Sequence, residues 1–211
     1  MITRARWRAL YDALYALYGD LHCPLEHADA FQLLCAVMLS AQCRDDRVNE
    51  VTKILFGAAP GPSEMAALDI AKIAEIIRPC GLYRNKSENL SRAAKMLVDE
   101  FHGEVPRTME ELTRLPGIGR KSANVVLGDA FGIPGFPADT HVIRLLNRTG
   151  FVATRDPVKI EAEVNKGLPP ECWTNFSHLL ITHGRRVCHA GNNPECGGCP
   201  LTKICKFFRE H

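Results

Sequence analysis

The amino-acid sequence predicts an all-α protein. Apolar residues recur at helical spacing along most of the chain, and no stretch alternates as a strand would. Polar caps and terminating glycines divide this pattern into separate helices. With 211 residues, of which 46% are hydrophobic and 24% charged, the chain can bury a sizeable core as one domain or two small ones.

The first half of the chain provides three predicted helices. Residues 1–20 predict an amphipathic helix and not a targeting signal, because Asp12 interrupts the apolar residues and no small-residue cleavage site follows. The run FQLLCAVMLSAQ, residues 31–42, is apolar almost all round and predicts a helix central to the core. A third helix has Ser87 available as its cap. Its apolar face contains Leu90, Ala93, Ala94, Leu97 and Phe101.

The second half continues the helical pattern. Thr108 and Glu111 have the spacing of a capping box for a short helix that ends near Leu115. After the glycines of LPGIG, apolar positions within residues 123–130 mark another helical face, which Gly132 ends. Later helices are predicted at about 141–148, at 157–166 after the cap Asp156, and at 173–187.

Composition excludes several classes of protein. No stretch of about 18 apolar residues occurs, so we expect no membrane span. The net charge of +2 and the pI near 8.1 are only mildly basic, so any attraction to nucleic acid must come from local clustering. The nine cysteines are odd in number, and several lie in apolar helical runs without an export signal before them. We therefore expect a cytoplasmic protein without a disulfide framework.

The stretch LPGIGRKSANVV, residues 115–126, predicts a hairpin between two short helices. A nucleotide-binding phosphate loop needs glycine directly before its Lys-Ser pair and a preceding strand, but here Arg120 intervenes and a helix precedes. The amides of Gly117 and Gly119 and the start of the next helix are instead suited to a DNA phosphate, with Arg120 beside them.

Lys121 stands where a helix start disfavours a cation. One hypothesis is that the disfavoured ammonium leaves more neutral amine to act as a nucleophile. The alternative is a solvated lysine that contacts phosphate. Asp139 follows eighteen residues later, across one helix and a proline-rich turn, on a path that can bring the two side chains together. Its carboxylate can accept a proton and stabilise positive charge on a sugar, although on spacing alone the favoured interpretation is a helix cap.

Four of the cysteines form a cluster near the end of the chain. Cys188, Cys196, Cys199 and Cys205 are separated by seven, two and five residues, which is compact enough to surround one inorganic centre. Sequence order alone also allows zinc, although tetrahedral zinc sites generally use two short pairs and only one is present here.

Taken together, these residues resemble the endonuclease III family of helix-hairpin-helix DNA glycosylases. The resemblance rests on LPGIGRKSANVVLGDAFG, on ADTHVIRLLNRTG and on the cysteine cluster, and it extends from FQLLCAVMLSAQ through GLYRNKSENL to Cys205. It implies a bifunctional glycosylase and abasic-site lyase, acting in base excision repair on oxidised pyrimidines in duplex DNA. It also implies a [4Fe-4S] cluster on the four cysteines.

The resemblance assigns roles to individual residues. Lys121 would attack the deoxyribose C1′ and form a Schiff base that undergoes β-elimination, and Asp139 would assist that attack. Gln42, Leu82 and His141 would enter the duplex, fill the gap left by the flipped base and contact the orphaned partner. Adenine-removing relatives lack the lysine, and relatives that excise 8-oxoguanine usually lack the cysteines, so both features together indicate the pyrimidine branch.

The same resemblance implies two lobes. Residues 23–133 would form a six-helix barrel domain that carries the helix-hairpin-helix at about 108–131. Residues 1–22 and 134–211 would form a helical iron-sulfur cluster domain. We further expect a monomer, associated with the nucleoid if the source is bacterial.

Some positions depart from the family pattern. Cys43 and Arg44 replace small or hydroxyl residues after the gap-filling glutamine, and Thr113 stands where glutamate is often found. The first cysteine spacing is seven residues instead of six. Two other classes stay open: a non-catalytic or monofunctional DNA-binding relative, which would bind without strand scission, and a redox or metal-dependent enzyme, which would not need Lys121.

Overall fold

A computed structural model describes residues 2–191 and 194–210, and within them it contains twelve α-helices and no strand. The all-α prediction is confirmed. In the same residues, no helix combines the length and the apolar character needed to cross a membrane. The helices are α1 (Arg4–Tyr18), α2 (Ala30–Leu39), α3 (Asp45–Ala58), α4 (Pro62–Ala67), α5 (Ile70–Ile77), α6 (Tyr83–Phe101), α7 (Met109–Arg114), α8 (Arg120–Val125), α9 (Thr140–Thr149), α10 (Pro157–Gly167), α11 (Trp173–Arg186) and α12 (Lys206–Glu210).

The chain divides into two compact units. The central unit is Cys23–Ile133, and the terminal unit combines Met1–His22 with Pro134–His211. Residues 1, 192, 193 and 211 of the predicted lobes lie outside the described residues. Each unit has its own hydrophobic core.

The core of the central unit is built around α2. Asp29 caps this helix by accepting a hydrogen bond from the Gln32 amide at 2.8 Å. Apart from Gln32, every residue from Phe31 to Leu39 is buried, as the all-round apolar pattern predicts. The exposed residues begin at Ala41, so the chain leaves the core just before Gln42.

Helix α6 begins earlier than its sequence predicts. The predicted cap, Ser87, lies inside the helix, is buried, and donates its hydroxyl to the Arg84 carbonyl at 2.8 Å. The helix starts at Tyr83 instead, after Leu82, whose backbone is in the left-handed region. The cap prediction was wrong because this entry into the helix uses a backbone conformation and no polar side chain.

The core of the terminal unit is aromatic. The Trp7 ring of α1 lies 4.9 Å from that of Phe151 and 6.3 Å from that of Phe176, both edge-on. Gly167 at the end of α10 permits this packing, because a Cβ there would lie 2.1 Å from the Trp7 ring. The predicted helices at 141–148, 157–166 and 173–187 correspond to α9, α10 and α11 within one residue at each end.

Candidate active site and nucleic-acid interface

Helices α7 and α8 form the predicted hairpin. Thr108 caps α7, because its hydroxyl accepts from the Glu111 amide at 3.2 Å and donates to the Glu111 carboxylate at 2.7 Å. Leu112, Leu115 and Ile118 are buried and anchor the hairpin in the core of the central unit. After α8 the backbone widens into a π-helical turn over Val126–Ala130.

The two glycines of the hairpin serve different purposes. Gly117 has φ +83°, and a Cβ there would lie 3.0 Å from Asn89 Nδ2 and 3.1 Å from Met38 Cε. Gly119 is the N-cap of α8 in an extended conformation, with open space where a Cβ would be. Both glycines and Arg120 are exposed. The first i→i−4 bond at the start of α8 runs from the Ala123 amide to the Gly119 carbonyl, and amides that precede such a bond lie outside the helical ladder.

Lys121 occupies the second position of α8 and its side chain is exposed. The helix start therefore presents a primary amine next to backbone amides that suit an anion. Lys121 belongs to the central unit and Asp139 to the terminal unit.

Gln42 and Leu82 share an unusual backbone conformation. Their φ angles are +55° and +48°, in the left-handed region that glycine adopts more readily. Gln42 lies in a turn closed by the Cys43 amide and the Ser40 carbonyl at 3.1 Å. Leu82 is 54% exposed. Strained, exposed positions of this kind concentrate at functional sites.

Lys86 is a residue of this region that sequence reasoning missed. It is buried in the first turns of α6, and its ammonium donates to the carbonyls of Leu39 at 2.9 Å and Cys80 at 2.8 Å. Burial lowers the pKa of Lys86. One sequence signal was present, because Lys86 precedes Leu90 by four residues and so falls on the apolar face of the helix.

Asp139 is the N-cap of α9. Its Oδ1 accepts from the amides of His141 at 2.8 Å and Val142 at 3.0 Å. The capping interpretation is therefore confirmed, while a catalytic role stays a prediction. Both bonds engage Oδ1, and the half-exposed carboxylate retains a second oxygen.

His141 packs in the first turn of α9. Arg144 donates from Nη2 to His141 Nδ1 at 3.1 Å, which assigns the ring proton to Nε2 because arginine only donates. The ring also fills the space beside Gly184 of α11, where a Cβ would lie 3.1 Å from Nδ1.

The four clustered cysteines line one cavity in the terminal unit. The rest of its lining is formed by five apolar residues and three polar ones: Leu145, Val187, Pro194, Leu201 and Phe207, with Arg148, Thr149 and His183. Burial raises the pKa of Cys199, and the thiolates of the other three cysteines raise it further. In the part of the chain that the structure describes, however, no group of three or more histidine, cysteine, aspartate or glutamate side chains is arranged to hold a metal ion.

Two arginines of α9 hold the start of the cysteine loop, residues 188–205. Arg144 donates to the carbonyls of Gly184 at 2.8 Å and Cys188 at 2.9 Å. Arg148 donates to the Cys188 sulfur at 3.3 Å and to the His189 carbonyl at 2.6 Å. Their spacing of four residues places both on one face of the helix, a signal that sequence reasoning did not use.

A buried histidine approaches another of the sulfurs. Burial lowers the pKa of His183 to about 4, so the ring is neutral. The His183 ring lies between the Tyr18 hydroxyl, 3.0 Å from Nδ1, and the Cys199 sulfur, 3.4 Å from Nε2. An N–H group of Arg148 and a ring nitrogen of His183 thus approach two of the four thiols.

Two residues that depart from the family pattern, Arg44 and Thr113, form hydrogen bonds with residues close to them in sequence. Arg44 is exposed and forms a bidentate pair with Asp46, from Nε at 3.1 Å and from Nη2 at 2.6 Å. Thr113 is exposed and donates its hydroxyl back to the Met109 carbonyl of its own helix at 2.9 Å.

Comparison with known proteins places these features in a family. Residues 35–170 match the family described as HhH-GPD superfamily base excision DNA repair protein. The chain is 47% identical over 193 residues to endonuclease III of Synechocystis sp., covering 91% of this chain and 88% of that protein. Its structure is similar to that of a non-covalent endonuclease III-DNA complex, with a TM-score of 0.93, 42% identity and coverage of 100% and 98%.

A second solved structure is equally similar. It is a trapped endonuclease III-DNA covalent intermediate, with a TM-score of 0.93 and 41% identity, covering 100% of this chain and 99% of that one. The family match spans more than half of the chain, and the relatives agree with it over nearly their whole length. The chain therefore belongs to the endonuclease III family of base excision DNA repair proteins.

Proposed function

We propose that this protein is a bifunctional DNA glycosylase and abasic-site lyase that removes oxidised pyrimidines from duplex DNA in base excision repair. The observation that carries the proposal is the exposed amine of Lys121 at the start of the second hairpin helix. Solved relatives include a trapped covalent complex with DNA, which is the kind of species an amine nucleophile forms. The protein would act as a cytoplasmic monomer, on the nucleoid in a bacterium.

The hairpin would hold the DNA backbone. Gly117 and Gly119 are exposed and carry no side chain, so a phosphate can approach the amides at the start of α8 closely. Arg120 adds a positive charge beside them. Such contacts fix the register of the duplex and carry no sequence preference, as a repair enzyme requires.

Lys121 would perform both chemical steps. Its neutral Nζ attacks C1′ as the bond from C1′ to the damaged base breaks, and the base leaves with that electron pair and takes up a proton. O4′ then leaves C1′ with its bonding electron pair and is protonated, while the nitrogen lone pair completes the Schiff base between Nζ and C1′. Loss of a proton from C2′ then expels the 3′ phosphate oxygen, which breaks the strand by β-elimination.

Asp139 would assist the attack. A carboxylate can accept a proton from the incoming amine or stabilise positive charge that develops on the sugar. The cap bonds hold the carboxylate in a fixed orientation through Oδ1. The remaining oxygen is suited to either task.

Gln42, Leu82 and His141 would fill the gap in the duplex. Flipping a nucleotide costs a few kcal/mol of unstacking, and side chains that occupy the vacated space offset part of that cost. The strained, exposed backbone of Gln42 and Leu82 supports this role, because neither residue gains core packing from its conformation.

The cysteine loop would hold a [4Fe-4S] cluster through Cys188, Cys196, Cys199 and Cys205. The donor chemistry suits such a group, since four thiols line one cavity and an arginine N–H and a histidine ring nitrogen approach two of the sulfurs, although the described side chains are not gathered into a metal-holding arrangement. When bound, the cluster supplies iron-thiolate bonds that stabilise the loop. Lys203 in the loop would then contact the DNA backbone, together with the basic residues that flank the loop: Arg185, Arg186, Lys206 and Arg209.

Borohydride trapping tests the proposed function. Duplex DNA that contains one oxidised pyrimidine is incubated with the wild type, with Lys121→Ala and with Lys95→Ala, a control at an exposed lysine of the same unit. We expect a covalent complex with the wild type and the control, and none with Lys121→Ala. If wild type binds the DNA but neither this duplex nor an abasic site gives a trapped complex, the protein is a non-catalytic or monofunctional relative.

A further inference from the structure

Lys86 lies between two exposed turns of the central unit. The residue is only 6% exposed, although lysine is rarely buried. Its Nζ donates to the Leu39 carbonyl at 2.9 Å and to the Cys80 carbonyl at 2.8 Å. These two acceptors are 41 positions apart in the chain, so the ammonium links segments that share no local connection.

Both acceptors are helix ends. Leu39 is the last residue of α2, and Cys80 is the last residue of a 3₁₀ turn over Arg78–Cys80. The final carbonyls of a helix lack intrahelical donors and carry partial negative charge. One ammonium therefore satisfies two helix C-termini, and this accounts for a buried cation at this position.

The turn that contains Gln42 and the turn that contains Leu82, called the Gln42 turn and the Leu82 turn, follow these two carbonyls within three residues. Gln42 comes three residues after Leu39, and Leu82 comes two residues after Cys80. The Lys86 amide also donates to the Leu82 carbonyl at 3.0 Å. Lys86 thus holds both strained turns, through its side-chain ammonium and through its backbone amide.

The same part of α6 contacts the hairpin. Asn89 follows Lys86 by three residues and packs beneath Gly117, whose missing Cβ would lie 3.0 Å from Asn89 Nδ2. The first turns of α6 therefore relate both exposed turns to the hairpin that carries Lys121.

We infer that Lys86 is a positioning residue, which sets the spacing between the Gln42 turn and the Leu82 turn so that both side chains enter one opened base pair. The inference rests on the proposed function and deepens it. Lys86 itself contacts neither DNA nor the reacting atoms. Lys86 therefore affects the reaction rate on duplex DNA, where a gap must be filled. It does not affect the rate on a substrate whose abasic sugar is already accessible.

The test compares two substrates. One is duplex DNA with a single oxidised pyrimidine, and the other is a single-stranded oligonucleotide with an abasic site, which needs no gap filling. Lys86→Met keeps the length of the side chain and removes its donors. We expect its single-turnover rate on the duplex to fall by about tenfold or more, with the rate on the single strand within about twofold of wild type.

Two further variants identify the cause. Leu82→Ala should give the same selective loss, and the double variant should lose less than the product of the two single effects, because both act on one function. Lys95→Met, at an exposed position of the same helix, should match wild type on both substrates. If Lys86→Met does not fold, Lys86→Gln takes its place: its amide is uncharged and ends one atom short of the ammonium position, so a smaller loss, again confined to the duplex, is expected.

Two results would overturn the inference. Equal losses on both substrates would assign Lys86 a purely structural role, and unchanged rates on both would show that the turns need no such link. Either result leaves the proposed function standing if the wild type still forms the trapped complex. Absence of trapping by the wild type would instead reject the proposed function itself.

Discussion

The Asp139 carboxylate caps α9 by accepting a hydrogen bond from the His141 amide at 2.8 Å. Asp139 therefore combines an observed role as a helix cap with a proposed role as a catalytic base. Substitutions that keep the cap but remove the charge can separate these two roles. Asparagine caps a helix about as well as aspartate but carries no negative charge.

We expect Asp139→Asn to leave the free energy of unfolding within about 0.5 kcal/mol of wild type, and Asp139→Ala to lower it by about 1 kcal/mol. Both variants should lose base removal, on the order of 100-fold. Denaturant unfolding and single-turnover glycosylase rates check the two effects. Normal activity of the asparagine variant would mean that Asp139 is only a cap.

Gly117→Ala should destabilise the hairpin. Its φ of +83° costs alanine about 1–2 kcal/mol, and the new Cβ would also press on Asn89 and Met38 at 3.0–3.1 Å. Gly119→Ala is the matched control for stability, because its φ is −99° and the space beside it is open. Thermal unfolding should show a lower Tm for the first variant and little change for the second. Equal Tm values would contradict the packing described for Gly117.

Leu82→Gly should separate stability from activity. Glycine relieves the left-handed strain at φ +48°, and little burial is lost because the leucine is 54% exposed. Since glycine also raises the entropy of the unfolded chain, we expect the free energy of unfolding to stay within about 1 kcal/mol of wild type. Activity on a lesion in duplex DNA should nevertheless fall. A variant that keeps full duplex activity would remove Leu82 from the gap-filling residues.

Cys199→Ser tests the cluster assignment. Purified wild type should contain iron and acid-labile sulfide in equal amounts, and the variant should contain less of both, with a lower Tm and weaker DNA binding. Cys23→Ser, at a cysteine of the central unit that is not in the cluster, should keep the wild-type iron content. One zinc ion per chain without sulfide would establish the zinc alternative, and full stability of Cys199→Ser would exclude a structural role for the loop.

Local sequence was sufficient to predict most helices, because their signals are local. The apolar run of α2, the Thr108 cap of α7 and the Asp156 cap of α10 each act within one or two turns of backbone. The α6 start was missed because Leu82 enters the helix in a left-handed conformation that no polar side chain marks.

The long-range polar contacts were not predictable from local pattern. Lys86 on an apolar face was visible in the sequence, but its acceptors are backbone carbonyls, which every residue carries. The contact between His183 and Cys199 also depends on how α11 meets the cysteine loop. By contrast, the position of Lys121 at the start of α8 was predictable from the sequence. The adjacent glycines and the apolar residues of the hairpin mark that helix start locally.

The terminal unit is assembled from the two ends of the chain, and this sets an order for its formation during synthesis. Helix α1 leaves the ribosome first, but Phe151 and Phe176, on which Trp7 packs, emerge only after all of the central unit. The central unit is continuous and can fold in that interval. The apolar face of α1, with Trp7, Leu10 and Leu14, must meanwhile remain uncovered or be sheltered by a chaperone until the last third of the protein has been translated.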